Sequence, residues 1–215
     1  MNISPERPPR PRGGSDRKLL AAARAMVGRT GISGLRLREV AKRARVNLGM
    51  FHYHFGSKQR FTRRLLQEIY EEFFSRLSFE SRTEGGPLER LKGALVVFGR
   101  FARNQRHIFL PLFGEALRGD KDSISYLEAN VPRHFRVIAE LMAEGQKAGA
   151  LRPLPVPVAV SFALGGMGVP NLLIGALERC GSAAARSRGQ AWKDEFLSER
   201  AIARRAELVI AGLRP

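Results

Sequence analysis

Within residues 36–58 the side chains able to hold a phosphate crowd together: Arg36, Arg38, Lys42, Arg43, Tyr53, His54 and Lys58. Among them lie Asn47, Leu48, Gly49 and His52, whose small, amide and imidazole groups suit the edges of base pairs. Cations and hydroxyls directed at phosphate supply affinity without reading sequence, whereas short groups on one exposed helix read it. Gly49 allows close backbone approach, and Leu48 is placed to touch a thymine methyl. This chemistry is that of duplex DNA recognition.

Other chemistries find little support. His52 and His54 form an H-x-H, but helical residues two apart point roughly 200° from each other and do not share one ion. No G-x-S-x-G, H-E-x-x-H or paired-carboxylate arrangement occurs, and His107 and His134 have no evident catalytic partner in the sequence. Gly165-Gly166-Met167-Gly168 lacks the Lys-Ser/Thr of a phosphate loop, so close helix packing is the better reading. A lone cysteine, Cys180, rules out an internal disulfide framework. The expectation is a protein that is not an enzyme and needs neither cofactor nor metal.

The elements that must position the basic residues can be read from periodicity. From Ser15 one apolar face runs through Leu19, Leu20, Ala23, Met26 and Val27; Ser15 or Asp16 is available as a cap, and Gly28 to Gly31 close the helix. A second short helix spans 37–44 with Leu37, Val40 and Ala41 inward. Asn47 is a competent cap for a third over 48–55. Gly56-Ser57 break that helix and Ser57 caps a fourth, where Phe61, Leu65, Ile69, Phe73 and Leu77 recur every four residues. Two short helices about a tight turn, with small Ala41 at their crossing, have the proportions of a helix-turn-helix. Val40, Val46 and Phe51 supply the apolar contacts that fix its angle.

The charge is concentrated on this module. Of 215 residues, 37 are Lys or Arg and 20 are Asp or Glu, a formal net charge of +17. Residues 1–64 hold sixteen of the cations and only three acids, Glu6, Asp16 and Glu39. A basic binding module on a near-neutral body gives this distribution, and a polyanion is its natural partner. Residues 1–14, with four prolines and three arginines, read as a flexible basic arm. The first fifteen residues contain no apolar segment of a secretory signal, which makes a reduced, cytoplasmic location the expectation.

The stretch from Leu37 to Phe61, LREVAKRARVNLGMFHYHFGSKQRF, resembles the N-terminal DNA-binding domain of the TetR family of bacterial transcriptional regulators. Val40-Ala41 and Ala44-Arg45-Val46 match the family's I-A-x-x-A-G-V turn, and Tyr53-His54-Phe55-Gly56-Ser57-Lys58 match its Y-x-H-F-x-S-K run. The resemblance covers about residues 15–75. It implies that Tyr53, His54 and Lys58 hold phosphates while the third helix reads bases. It implies further an all-helical homodimer, usually a repressor released by a small ligand. Two positions depart from the pattern: Arg45 replaces the turn glycine, and Arg36 replaces the threonine that caps the second helix.

The rest of the chain reads as helices over about 87–106, 107–118, 121–148, 155–179 and 195–213. Thr83-Glu84-Gly85-Gly86-Pro87 mark the boundary, so the expected domains are 15–80 and 87–215. The fold class is therefore all-α: an N-terminal three-helix helix-turn-helix domain, then a larger helical ligand-binding and dimerisation domain. Phe98, Phe101, Phe113, Phe135, Phe162 and Met167, with Phe109 and Met142 beside them, are candidates to line a pocket for an apolar or aromatic ligand. Interface candidates are 156–177 and 201–213, the latter with Ile202, Leu208, Val209, Ile210 and Leu213. Residues 153–177 carry no charge and are long enough to span a bilayer, but their prolines, glycines, Ser161 and Asn171 fit a buried bundle helix better. The leading reading is a repressor on double-stranded DNA; the alternatives are a nucleoid-type DNA binder with an oligomerisation domain, and a membrane-associated protein.

Overall fold

The structure, a computed structural model, describes residues 14–32, 34–181 and 189–215. The expected basic arm lies outside them. Ten helices and no strand occur among the described residues. The chain divides into two compact units, residues 1–66 and 67–215.

The first unit holds α1 (Ser15–Thr30), α2 (Leu37–Ala44), α3 (Leu48–Phe55) and the start of α4 (Lys58–Glu80). Its core is the apolar face the sequence marks out: Leu19, Ala23 and Val27 of α1 with Val40, Phe51, Phe61 and Leu65, all essentially removed from water. Ser15 does not cap α1; Gly14 takes the cap position with no side-chain bond. The hydroxyl of Ser15 instead meets His54 (Oγ to Nε2, 2.6 Å). Arg45 ends α2 in the left-handed region (φ 54°, ψ 43°). Val46 N–H donates to the Ala41 carbonyl and Arg45 N–H to that of Lys42, both near 3 Å, which together form a Schellman cap. Glycine is the residue such a cap favours, and Arg45 occupies it.

The second unit contains the remainder of α4, then α5 (Pro87–Asn104), α6 (Arg106–Leu117), α7 (Lys121–Lys147), α8 (Val156–Cys180), α9 (Gly189–Leu197) and α10 (Glu199–Leu213). Pro87 opens α5, where its missing N–H costs nothing. Asp120 caps α7 through the N–H of Ser123 (2.8 Å), and Ser198 caps α10 through that of Ala201 (3.1 Å). The central helix is α5, packed on α7, α8 and α10. At Gly99 a Cβ would stand 2.6 Å from Met167 Cε and 2.9 Å from Ile202 Cγ2, so this crossing requires glycine. Leu91, Leu95, Ile108, Ile138, Met142 and Ile202 complete a dry core.

Three expectations need correction. The helix foreseen over 195–213 is two helices, because Ser198 leaves the helical region to cap α10 and a separate helix begins at Gly189. The units meet inside α4, at Leu66/Gln67, and not at the Gly85-Gly86 loop, because the residues after Leu66 bond to α7: Tyr70 Oη donates to the Asn130 carbonyl at 2.5 Å. Of the proposed interface residues, Ile202, Val209, Ile210 and Leu213 are buried within the chain, and only Leu208 is exposed. Among the described residues α8 is the one helix long and apolar enough to cross a membrane, and half of its most apolar window is buried inside the protein.

Candidate nucleic-acid interface and ligand cavity

The projected element is α3. Its inner side is fixed by an aromatic cluster in which the Phe51, Phe55 and Phe61 ring centroids lie 4.8–5.5 Å apart, Phe51 being fully buried. Its start is fixed by Asn47, whose Oδ1 accepts from Gly49 N–H at 2.8 Å. Its end is fixed by Gly56, at φ 69°. Ser57 then caps α4 by accepting from Arg60 N–H at 3.2 Å. A helix of eight residues is too short to be stable alone, and these four restraints hold it.

What remains outward is the candidate reading surface. Asn47, Gly49 and His52 are exposed, Leu48 is half-buried, and Tyr53 is 72% exposed. A phenol that exposed, next to a packed aromatic cluster, serves no core. Lys58 stands exposed in the first turn of α4, where free N–H groups already favour an anion. Arg36 and Arg38 are exposed at the start of α2, with Arg36 3.5 Å from Glu39. His54 differs from the others: half-buried and bonded to Ser15, it fastens α3 to α1. Met50, 38% exposed on α3, shares the surface and was not anticipated from the sequence. This arrangement can seat a short helix against a polyanion, with hydroxyl and ammonium groups at its rim.

The second unit contains a half-open cavity of about 400 Å³. Of the sequence's pocket candidates, Phe98, Phe101, Phe109, Phe113 and Phe135 line it; Met142, Phe162 and Met167 do not. Phe162 is half-exposed on α8, and Met167 is buried against α5 at Gly99. Sequence reasoning missed the polar part of the wall: Tyr70, Tyr126, Asn130, His134 and Ser161. Only the spacing of Asn130 and His134, one helical turn apart on α7, was visible in advance.

These groups are tightly bonded. Tyr70 Oη donates to the Asn130 carbonyl and lies 3.2 Å from His134 Nδ1. Asn130 Nδ2 donates to the Tyr126 carbonyl at 2.8 Å and to Gln67 Oε1 at 3.2 Å. Glu71 receives both Nη groups of Arg133 (2.6 and 3.0 Å), and that guanidinium lies 4.1 Å from the centroid of Phe74. The Arg133 hydrogen bonds hold the Glu71 carboxyl below its ordinary range. Burial pushes the Tyr70 phenol up to about 12 and raises Tyr126 as well. Burial also drives the His134 imidazole down to about 4, so it is neutral at pH 7. No Asp, Glu, Lys or Arg lines the cavity.

A family model described as bacterial regulatory proteins, tetR family, matches residues 19–65, the segment that builds α1 to α3 and the start of α4. The N-terminal unit is a TetR-family DNA-binding domain. No curated protein matches the chain. Solved structures extend the likeness of fold to almost the whole length. The ketosteroid transcriptional regulator KstR2 of Mycobacterium tuberculosis is 21% identical, with 94% of this chain and 96% of that one covered and a TM-score of 0.66. FadR from Bacillus subtilis, in complex with stearoyl-CoA, is 14% identical over 92% and 99%, TM-score 0.67. A regulator from Saccharomonospora viridis in complex with choline is 18% identical over 92% and 95%, TM-score 0.69. In this TetR-type fold α2 and α3 form the helix-turn-helix, and α5 to α10 lie in the second unit.

Proposed function

We propose that this chain is a cytoplasmic transcriptional repressor that binds a palindromic operator as a homodimer and leaves it when a small molecule fills the cavity of the second unit. The observation that carries the reading is the pairing of two features: a short exposed helix held by caps and a buried aromatic cluster, and an aromatic-lined cavity in the second unit. A nucleoid-type binder needs the first but has no use for the second. Two proteins of this fold hold small molecules, stearoyl-CoA and choline, which supports a ligand-responsive regulator.

In this reading Tyr53 and Lys58 hold phosphates, and Arg36 and Arg38 add charge beside them. Asn47, Leu48, Gly49 and His52 face base edges in the major groove. His54 positions α3 through Ser15. One two-turn helix contacts too few bases for useful selectivity, so two copies about one DNA turn apart are needed. A ligand that favours one conformation of the second unit shifts the population away from the spacing the operator requires.

Selection of bound duplexes from a random pool at about 0.15 M salt tests this reading. A palindrome is expected. Recovery of no motif, with binding that simply fades as salt rises, overturns it in favour of the structural DNA binder.

A further inference from the structure

The cavity has a defined hydrogen-bonding polarity. The Tyr70 hydroxyl proton is committed to the Asn130 carbonyl at 2.5 Å, so Tyr70 Oη can only accept from the ring nitrogen 3.2 Å away. That assigns the single proton of the neutral His134 imidazole to Nδ1. Nε2 is then a bare lone pair, and among the described residues it has no hydrogen-bond partner. Rings flank the imidazole: the centroids of Phe98 and Phe135 lie 5.6 and 5.4 Å from that of His134. Ser161 donates its proton to the Pro157 carbonyl at 2.8 Å, so it too faces the cavity as an acceptor. Asn130 has both amide protons engaged by Tyr126 and Gln67. The wall thus offers acceptors at His134 and Ser161, the hydroxyl of Tyr126, aromatic surface around them, and no charge.

We propose that the ligand of this cavity is an uncharged, largely apolar molecule with a hydroxyl group, which donates to Nε2 of His134. The proposal rests on the reading of the cavity as the ligand site, and it names the class of ligand. A carboxylate would find no cation in the wall and would meet two acceptors. A quaternary ammonium gains from the ring faces but carries no proton for Nε2, so it leaves that lone pair without a partner. An ether or ketone offers only lone pairs to a group that needs a proton. A plain hydrocarbon leaves Nε2 buried without a partner, which costs more than an unmade bond in water.

Four probes share one body and differ at one end: 4-hexylphenol, 4-hexylanisole, 4-hexyltoluene and 4-hexylbenzoate. Their binding to the full chain is measured by calorimetry, and release of a selected DNA duplex is measured separately. The phenol is expected to bind roughly tenfold more tightly than the anisole or the toluene, the gain of one net hydrogen bond. The benzoate is expected to be weakest, by about a hundredfold or more, since an unpaired charge must leave water. His134→Phe should leave the toluene affinity near its original value and abolish the preference for the phenol.

Equal binding of phenol, anisole and toluene overturns the proposal, as does tightest binding by the benzoate or failure of all four to bind. These tests need no variant, so they stand even if His134→Phe misfolds. Preferential phenol binding without DNA release leaves the ligand class standing and overturns the effector reading. Release by the benzoate and not by the phenol does the reverse.

Discussion

His134 is neutral because the rings around it exclude water, and that has a consequence for stability. The unfolded chain protonates this imidazole near its ordinary 6.5, the folded one near 4. Between these values the unfolded state binds more protons, so stability falls as pH falls from 6.5 towards 4 and is unaffected above about 7. The shift sets a ceiling of about 3 kcal/mol on the loss. His107, also lowered by burial, acts in the same direction, so the effect must be isolated by substitution. Urea titrations of the parent and His134→Phe at pH 7 and pH 5 are expected to show a smaller acid loss in the variant; equal losses would show that His134 is not the group responsible. Arg45 gives a second prediction at this scale. Its left-handed backbone carries a steric cost that glycine avoids, so Arg45→Gly should raise the thermal midpoint, by about 0.5–1 kcal/mol of stability. A lower midpoint would mean that contacts of the Arg45 side chain outweigh the backbone cost. The two residues differ in how visible they were. Arg45 stands where a turn motif expects glycine, so its strain was legible from one position. His134 takes its meaning from Tyr70, sixty-four positions away, and only packing joins them.

At the scale of elements, the proposed docking divides the work of binding between α3 and the first turn of α4, and the division can be measured. In the proposed docking Tyr53 and Lys58 face the backbone of any duplex, so Tyr53→Phe and Lys58→Ala should weaken all sequences alike. Loss of the lysine should lower the salt slope by about 1. Changes at Leu48 or His52 should instead relax base preference at one position while non-specific affinity stays constant. Uniform weakening by a His52 change, or unchanged affinity after Lys58→Ala, would reverse the docking of α3. The short helices were legible because each end has its own chemical marker: Asn47 and Ser57 cap by side chain, Gly31 and Gly56 turn the chain. Where no such marker stands out, the reading failed. Ser198 caps α10, but a lone serine also fits inside a helix, and the apolar pattern of Phe196 and Leu197 runs on into Ile202 without a break. The unit boundary inside α4 was hidden for a related reason: its apolar four-residue spacing is continuous from Phe61 to Leu77, and only the partners of each residue change.

At the scale of the whole molecule, the outer side of α8 in the second unit is an apolar face that needs a cover. Its inner row, from Ala159 through Ala163 and Met167 to Ile174, is packed inside the unit, which accounts for half of the charge-free segment. The outer row is as apolar, yet Val158, Phe162, Val169 and Leu173 are 50–58% exposed, and Leu208 of α10 is 63% exposed. The two helices are neighbours: a Cβ on Gly212 would touch the Phe162 ring at 3.5 Å. Large apolar side chains repeated along one helix pair form a continuous patch, and such patches on soluble proteins usually mark interaction sites. In the proposed dimer a second copy of the chain is the occupant, and it also serves DNA reading because it supplies the second α3. Leu173→Glu places a charge in that patch without touching the buried row, so the folded unit should survive while the dimer does not. Sedimentation at micromolar concentration should then move from twice the chain mass of 23.9 kDa to that mass itself. Affinity for a palindrome should fall at least a hundredfold while affinity for random duplex changes little, because each α3 keeps its own contacts and loses only its partner's. A variant that stays dimeric with unchanged operator affinity would put the interface elsewhere. A parent protein that is already monomeric at these concentrations would remove the basis for palindromic recognition altogether.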